Sequence, residues 1–202
     1  SDIIFLKSLP KREIICGYGE ILKHSLISDK RFFNFLDKNI SNILSLKSPF
    51  IEKTIFECCK IKKFVVQKDE REQSFRKILN FGHTFAHAYE ATLDYSKKLN
   101  HGEAVLLGIN TAIKFSYKNK FLSINEYSLI INHIKRSNLP FNLKNYFSYK
   151  HLSKILSFMS KDKKNSSEKI NLILLKKIGL PIIYPEYSKN SLRLFLKKEL
   201  TN

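Results

Sequence analysis

Helical periodicity runs through nearly every long segment of this chain, and it narrows the possible folds more than any other feature. Apolar residues recur at three- and four-residue steps over 14–26, 29–36, 49–67, 74–92, 100–117, 123–137, 148–159 and 191–200. Ser48 before Pro49 predicts a helix start: a hydroxyl cap, then proline in the first turn. Ser123-Ile124-Asn125-Glu126 has the spacing of a capping box. Residues 170–175, with 178–184 as a partner, form the one strand-like stretch. There is no Gly-rich phosphate loop and no alternation of strands with helices, so a complete dinucleotide-binding domain is not expected here. The chain has 202 residues, 43% of them hydrophobic. That suffices for one mainly helical domain with its own core and a small β element near residues 170–184.

Charge and cysteine content narrow the function classes. Thirty-six Lys+Arg against 18 Asp+Glu leave a formal net charge of +18. Such a balance suits a nucleic-acid surface, or an anionic small-molecule site within a lysine-rich composition. The lysines are spread along the whole chain, which favours the second reading. No apolar run reaches the ~18 residues of a membrane helix. The N-terminus has no charged region followed by an apolar one, so a signal peptide is not expected. It also lacks an initiator Met, so the chain is expected to be a piece of something longer. Cys16, Cys58 and Cys59 are odd in number with no Cys-x-x-Cys spacing. That argues against a disulfide framework or a cysteine zinc site and points to the cytoplasm.

Chemistry-bearing residues gather in three places. Arg76, Asn80, His83 and His87 are spaced by four, three and four residues, which on one helix is a single stripe. Two histidines at that spacing can share a metal; alternatively they are core histidines held by backbone carbonyls. Gly82 removes a side chain within the stripe and lets another group approach. His101, beside Gly102 and Glu103, opens the next helix, either to meet the stripe across an antiparallel pair or to cap a helix next to a solvated glutamate. Glu20 and Lys23 share one face of an otherwise apolar helix, as a surface ion pair or as part of a site. One Glu and two His is a common ligand set for catalytic Zn²⁺, with a position open for water or substrate oxygens.

Four motifs, in order, carry a resemblance. They are Leu9-Pro10-Lys11-Arg12 through Gly19-Glu20-Ile21-Leu22-Lys23; Arg76-Lys77-Ile78-Leu79-Asn80-Phe81-Gly82-His83-Thr84-Phe85-Ala86-His87-Ala88; Leu99-Asn100-His101-Gly102-Glu103-Ala104-Val105; and Met159-Ser160-Lys161-Asp162-Lys163-Lys164 followed by Ile173-Leu174-Leu175. Together they resemble the helical C-terminal half of the 3-dehydroquinate synthase family, over roughly residues 9–180. Ala86 stands where the family signature has glycine.

The resemblance implies a multi-helical C-terminal metal- and substrate-binding domain over 1–202, without the family's N-terminal NAD-binding domain. By position, Glu20, His83 and His101 match the metal ligands, for Zn²⁺ or Co²⁺, and His87 matches the proton-transfer histidine. Lys23, Arg76 and Asn80 match positions that hold the substrate. Lys62, Glu72 and one of Lys163 and Lys164 match further substrate positions. The implied reaction belongs to the shikimate pathway of aromatic amino acid and chorismate biosynthesis. It takes 3-deoxy-D-arabino-heptulosonate 7-phosphate, a phosphorylated seven-carbon keto acid, to 3-dehydroquinate and phosphate. The steps are transient oxidation by NAD, β-elimination of phosphate and aldol closure. The implied enzyme is a cytoplasmic homodimer whose isolated C-terminal half does not turn over, with no nucleic-acid or membrane partner. Other sugar-phosphate cyclases of the same superfamily share the metal triad, and a basic nucleic-acid-binding helical protein is the alternative from another class.

Overall fold

The computed structural model describes residues 3–161 and 169–201. Among them are eight α-helices and one antiparallel hairpin. The helices are α1 (Lys11–Ser28), α2 (Lys30–Leu44), α3 (Phe50–Lys68), α4 (His83–Thr92), α5 (His101–Lys118), α6 (Ile124–Arg136), α7 (Leu152–Lys161) and α8 (Lys189–Thr201); the strands are β1 (Lys169–Lys177) and β2 (Leu180–Ser188).

Helix α5 is the axis of the domain. Its residues from Gly102 to Ile113 are all buried, and apart from Glu103, Asn110 and Thr111 they are apolar or glycine, as suits a helix enclosed on every side. Helices α1, α4 and α6 and strand β1 pack around it. Tyr18 and Leu22 of α1, Phe85 and Tyr89 of α4, and Leu106 and Ile113 of α5 are fully or almost fully buried there. One polar element is built into this core. His133 of α6 accepts from the Tyr18 hydroxyl through Nε2 at 2.9 Å and donates from Nδ1 to Asp37 Oδ1 at 2.8 Å, which ties α1, α2 and α6 together.

The hairpin docks on the helices through backbone contacts. Gly179, at φ +83, forms the turn and donates its N–H to Leu26 O at 2.8 Å. Ile178, expected inside the second strand, lies in this turn, and β2 begins at Leu180. The Glu126 carboxylate accepts from Ile178 N at 2.8 Å, so only the Ser123 half of the expected capping box forms, to Glu126 N at 3.2 Å.

Three further boundaries differ from expectation. Helix α2 continues to Leu44 because Ile40 and Ile43 prolong its buried stripe. Helix α3 begins at Phe50 with no side-chain cap, so Ser48 does not play that part. The expected helix over 74–92 is two elements. A 3-10 turn spans Phe75–Asn80, the chain breaks at Phe81-Gly82, and α4 starts at His83. Arg76 and Asn80 therefore do not share a helical stripe with His83 and His87.

Candidate metal centre

Three helices converge on one point, and glycines set how closely they do so. On α1, Gly19 precedes Glu20; a Cβ there would lie 2.8 Å from Gly102 O. On α5, Gly102 follows His101; a Cβ there would lie 2.3 Å from Cys16 Cα. Gly82 precedes His83 with φ +81, and Gly108 of α5 would bring a Cβ within 2.2 Å of its carbonyl oxygen. At both crossings the backbones touch, a spacing that larger residues forbid. Gly82 thus admits a helix rather than a ligand.

One ligand atom each from Glu20, His83 and His101 falls within 4.8 Å of the others. His83 Nε2 is 3.3 Å from Glu20 Oε1. His83 Nδ1 lies 3.2 Å from Phe81 O, an oxygen that can only accept, so Nδ1 donates there and Nε2 is the nitrogen that faces Glu20. His101 Nδ1 likewise faces the Glu90 carboxylate at 3.1 and 3.2 Å, which leaves Nε2 as the nitrogen available to a metal. Both imidazoles are thus held by second partners in the manner of metal-bound histidines. Glu20 Oε1 is buried and receives no hydrogen bond of good geometry. A buried carboxylate oxygen without a hydrogen-bond partner, beside one ligand atom each from two histidines, suits a cation between them. Atoms about 2.0–2.1 Å from a tetrahedral Zn²⁺ stand about 3.3–3.4 Å apart, the spacing seen between His83 and Glu20. The residues fit a divalent ion.

The surroundings are cationic. Lys23, 4% exposed, donates to Glu20 Oε2 at 2.6 Å. Burial pushes the Glu20 carboxyl up, but His83 and Lys23 outweigh it and hold it well below the usual carboxylate range. His87 completes a triangle of imidazoles, its ring centroid 5.5 Å from His83 and 6.3 Å from His101. Burial, with Lys23 next, pushes His24 down to about 4, so that buried ring is neutral. Lys62, exposed on α3, is close enough to act on His24.

Arg76, Asn80 and Glu72 form a second group. The Asn80 amide donates to Glu72 Oε1 at 2.6 Å, and Arg76 Nη1 donates to Glu70 O at 2.7 Å. Asp69 accepts from the backbone N–H groups of Gln73, Ser74 and Arg76, which fixes this loop. Lys163 and Lys164 lie outside the described residues. Sequence reasoning assigned no role to Arg12, Glu90, His24 or Asp69, although Arg12 stands within the first motif. Glu103 is no solvated glutamate but buried against Arg12.

The family model for the C-terminal region of 3-dehydroquinate synthase matches residues 17–165. The chain belongs to the 3-dehydroquinate synthase family. A 3-dehydroquinate synthase of Pelagibacter ubique is 59% identical over 201 residues, all of this chain and 55% of that protein. One from Alkaliphilus metalliredigens is 40% identical over 173 residues, 86% of this chain and 47% of that protein. The chain thus spans about half the length of the curated relatives it matches. The solved 2-epi-5-epi-valiolone synthase ValA of Streptomyces hygroscopicus, with NAD⁺ and Zn²⁺ bound, superposes with a TM-score of 0.84 at 19% identity, covering 98% of this chain and 54% of that one. A 2-deoxy-scyllo-inosose synthase complexed with carbaglucose-6-phosphate, NAD⁺ and Co²⁺ gives 0.74 at 23% identity, over 95% of this chain and 53% of that one. These two likenesses establish the 3-dehydroquinate-synthase-like fold. Among the described residues no helix is long and apolar enough to cross a membrane.

Proposed function

We propose that this chain is the metal- and substrate-binding part of a 3-dehydroquinate synthase, a cytoplasmic, homodimeric enzyme of the shikimate pathway. It converts 3-deoxy-D-arabino-heptulosonate 7-phosphate to 3-dehydroquinate and phosphate. The observation that carries this reading is the convergence of Glu20, His83 and His101 inside a chain that belongs to the family. An NAD-binding domain elsewhere in the same enzyme completes the site, in keeping with relatives of about twice this length.

In this reading Glu20, His83 and His101 hold Zn²⁺ or Co²⁺. The bound ion supplies Lewis-acid polarisation of substrate oxygens, and NAD accepts and returns the hydride. Lys23 keeps Glu20 ionised and places positive charge where an anionic substrate arrives. Arg76 has one amino group on Glu70 O, and its remaining donors suit a carboxylate or phosphate. Asn80, with its amide nitrogen held by Glu72, offers its carbonyl oxygen to a substrate hydroxyl. His87, edge-on to His83, is placed to hold or move a proton beside the substrate. Lys62, with Lys163 or Lys164, adds charge for the phosphate. The protein's part is mainly orientation and charge.

Phosphate release by the full-length enzyme tests this. With NAD and Zn²⁺ present, the seven-carbon keto acid phosphate should release phosphate, and sedoheptulose 7-phosphate, which lacks the carboxylate, should not. Equal turnover of both would place the enzyme among the other sugar-phosphate cyclases.

A further inference from the structure

We propose that Arg12 is a positioning residue for the metal centre: through Glu103 and the loop 97–100 it fixes the first turn of α5, so that His101 presents Nε2 to the ion. The inference rests on the metal-centre reading above.

Arg12 lies in the first turn of α1, two turns before Glu20 on the same helix. Its guanidinium forms a fork with one carboxylate, Nε to Glu103 Oε1 at 2.8 Å and Nη2 to Glu103 Oε2 at 2.6 Å. Nη1 also donates to Lys97 O at 2.9 Å, and Nη2 to Lys98 O at 3.1 Å. Glu103 Oε2 in turn accepts from Asn100 N at 2.9 Å. Every one of these contacts ends within four residues of His101, on both sides of it. His101 itself needs outside support. It is the first residue of its helix, its side chain is 53% exposed, and the one hydrogen-bonding partner described for its ring is Glu90.

Arg12, Cys16 and Gly19 occupy positions i, i+4 and i+7 of α1, and all three meet the start of α5: Arg12 at Glu103, Cys16 at Gly102, and Gly19 at Gly102 and Leu106. One face of α1 therefore sets the height of His101 relative to Glu20. Lysine cannot reproduce this, because a single ammonium has no planar fork and cannot reach a carboxylate and two carbonyls in fixed geometry. The Arg12 side chain is itself 42% exposed, but Glu103 is buried and keeps only the Asn100 N–H when Arg12 is removed, so the pair also contributes modestly to stability.

The test is zinc titration of the metal-stripped protein by calorimetry, with thermal unfolding of each variant in chelator. Arg12→Ala should weaken zinc binding about 10- to 100-fold, the usual effect of removing an outer partner of a ligand. Arg12→Lys should recover only part of that loss. Helical content should stay close to that of the unaltered protein, and the chelator-treated unfolding midpoint should fall only slightly, too little for unfolding to account for the loss of zinc binding. In a His101→Ala background, Arg12→Ala should cost nothing further, because its effect passes through His101. Zinc binding within twofold of the unaltered protein in Arg12→Ala, full rescue by lysine, or an equal loss in the His101→Ala background would each overturn the inference. No zinc binding by the unaltered protein, or none lost in His101→Ala, would overturn the metal-centre reading and this inference with it.

Discussion

Glu20 divides its two oxygens between a buried cation and the space where three helices meet. Oε2 neutralises Lys23, and Oε1 faces the His83 nitrogen. Glu20→Gln should therefore do two things at once. It should weaken zinc binding by an order of magnitude or more, because a neutral amide is a poor ligand. It should also destabilise the metal-free chain by about 1–3 kcal/mol, because Lys23 is left buried with half its partner. His101→Ala should weaken zinc comparably yet leave metal-free stability nearly unchanged, since that side chain is largely exposed at a helix start. Calorimetry and urea unfolding on the two variants separate the roles, and equal destabilisation by both would mean the Lys23 pair carries no weight. The three candidate ligands were legible in the sequence and the resemblance. Their partners were not. Arg12 and Glu103 are 91 residues apart, and Glu90 sits one turn beyond the histidine stripe with nothing local to mark it.

Helix types and order could be read from hydrophobic period, but the break before α4 could not. A 3-10 segment of six residues repeats at about 3.0 residues against 3.6, too small a difference to show over two turns. What decides the break is tertiary: Gly82 takes a left-handed φ so that its carbonyl can meet Gly108 of α5. The same logic separates two glycines only two residues apart in α1. Gly17 has nothing within 4 Å of an added Cβ and pays only the entropic cost of glycine within a helix. Gly17→Ala should raise stability by about 0.5–1 kcal/mol. Gly19 abuts Gly102 O, and Gly102 itself abuts Cys16. Gly102→Ala should cost about 1–3 kcal/mol as α1 and α5 move apart, and should weaken zinc binding because Glu20 and His101 ride on those two helices. Unfolding midpoints of the two alanine variants should move in opposite directions. A Gly102→Ala variant as stable as its parent would mean that the crossing relaxes without strain.

For the whole molecule, charge and burial act together as pH falls. Burial and the Lys23 cation hold His24 down to about 4 in the fold, whereas an exposed histidine titrates near 6.5. Between those values the unfolded chain takes up a proton at this position and the folded chain does not. Stability is therefore full above about 6.5 and declines as pH falls toward 4, by at most about 3 kcal/mol from this one group. His133, buried and pushed down despite Asp37, has the same sign. Glu20 and Glu103, both held low, extend the loss below the ordinary carboxylate range of about 4.3. A chain already at +18 gains more positive charge over the same interval, and its self-repulsion also favours unfolding. Salt separates the two causes. Repulsion among exposed lysines is screened at high ionic strength, whereas the cost of charging a buried imidazole is not. Urea unfolding in chelator at about pH 7.5 and about pH 5, at low and high salt, should show a loss that salt only partly restores. His24→Gln, which has no proton to take up, should lose distinctly less between the two pH values. A decline abolished by salt in both proteins would assign the effect to overall charge and leave His24 without a part in it.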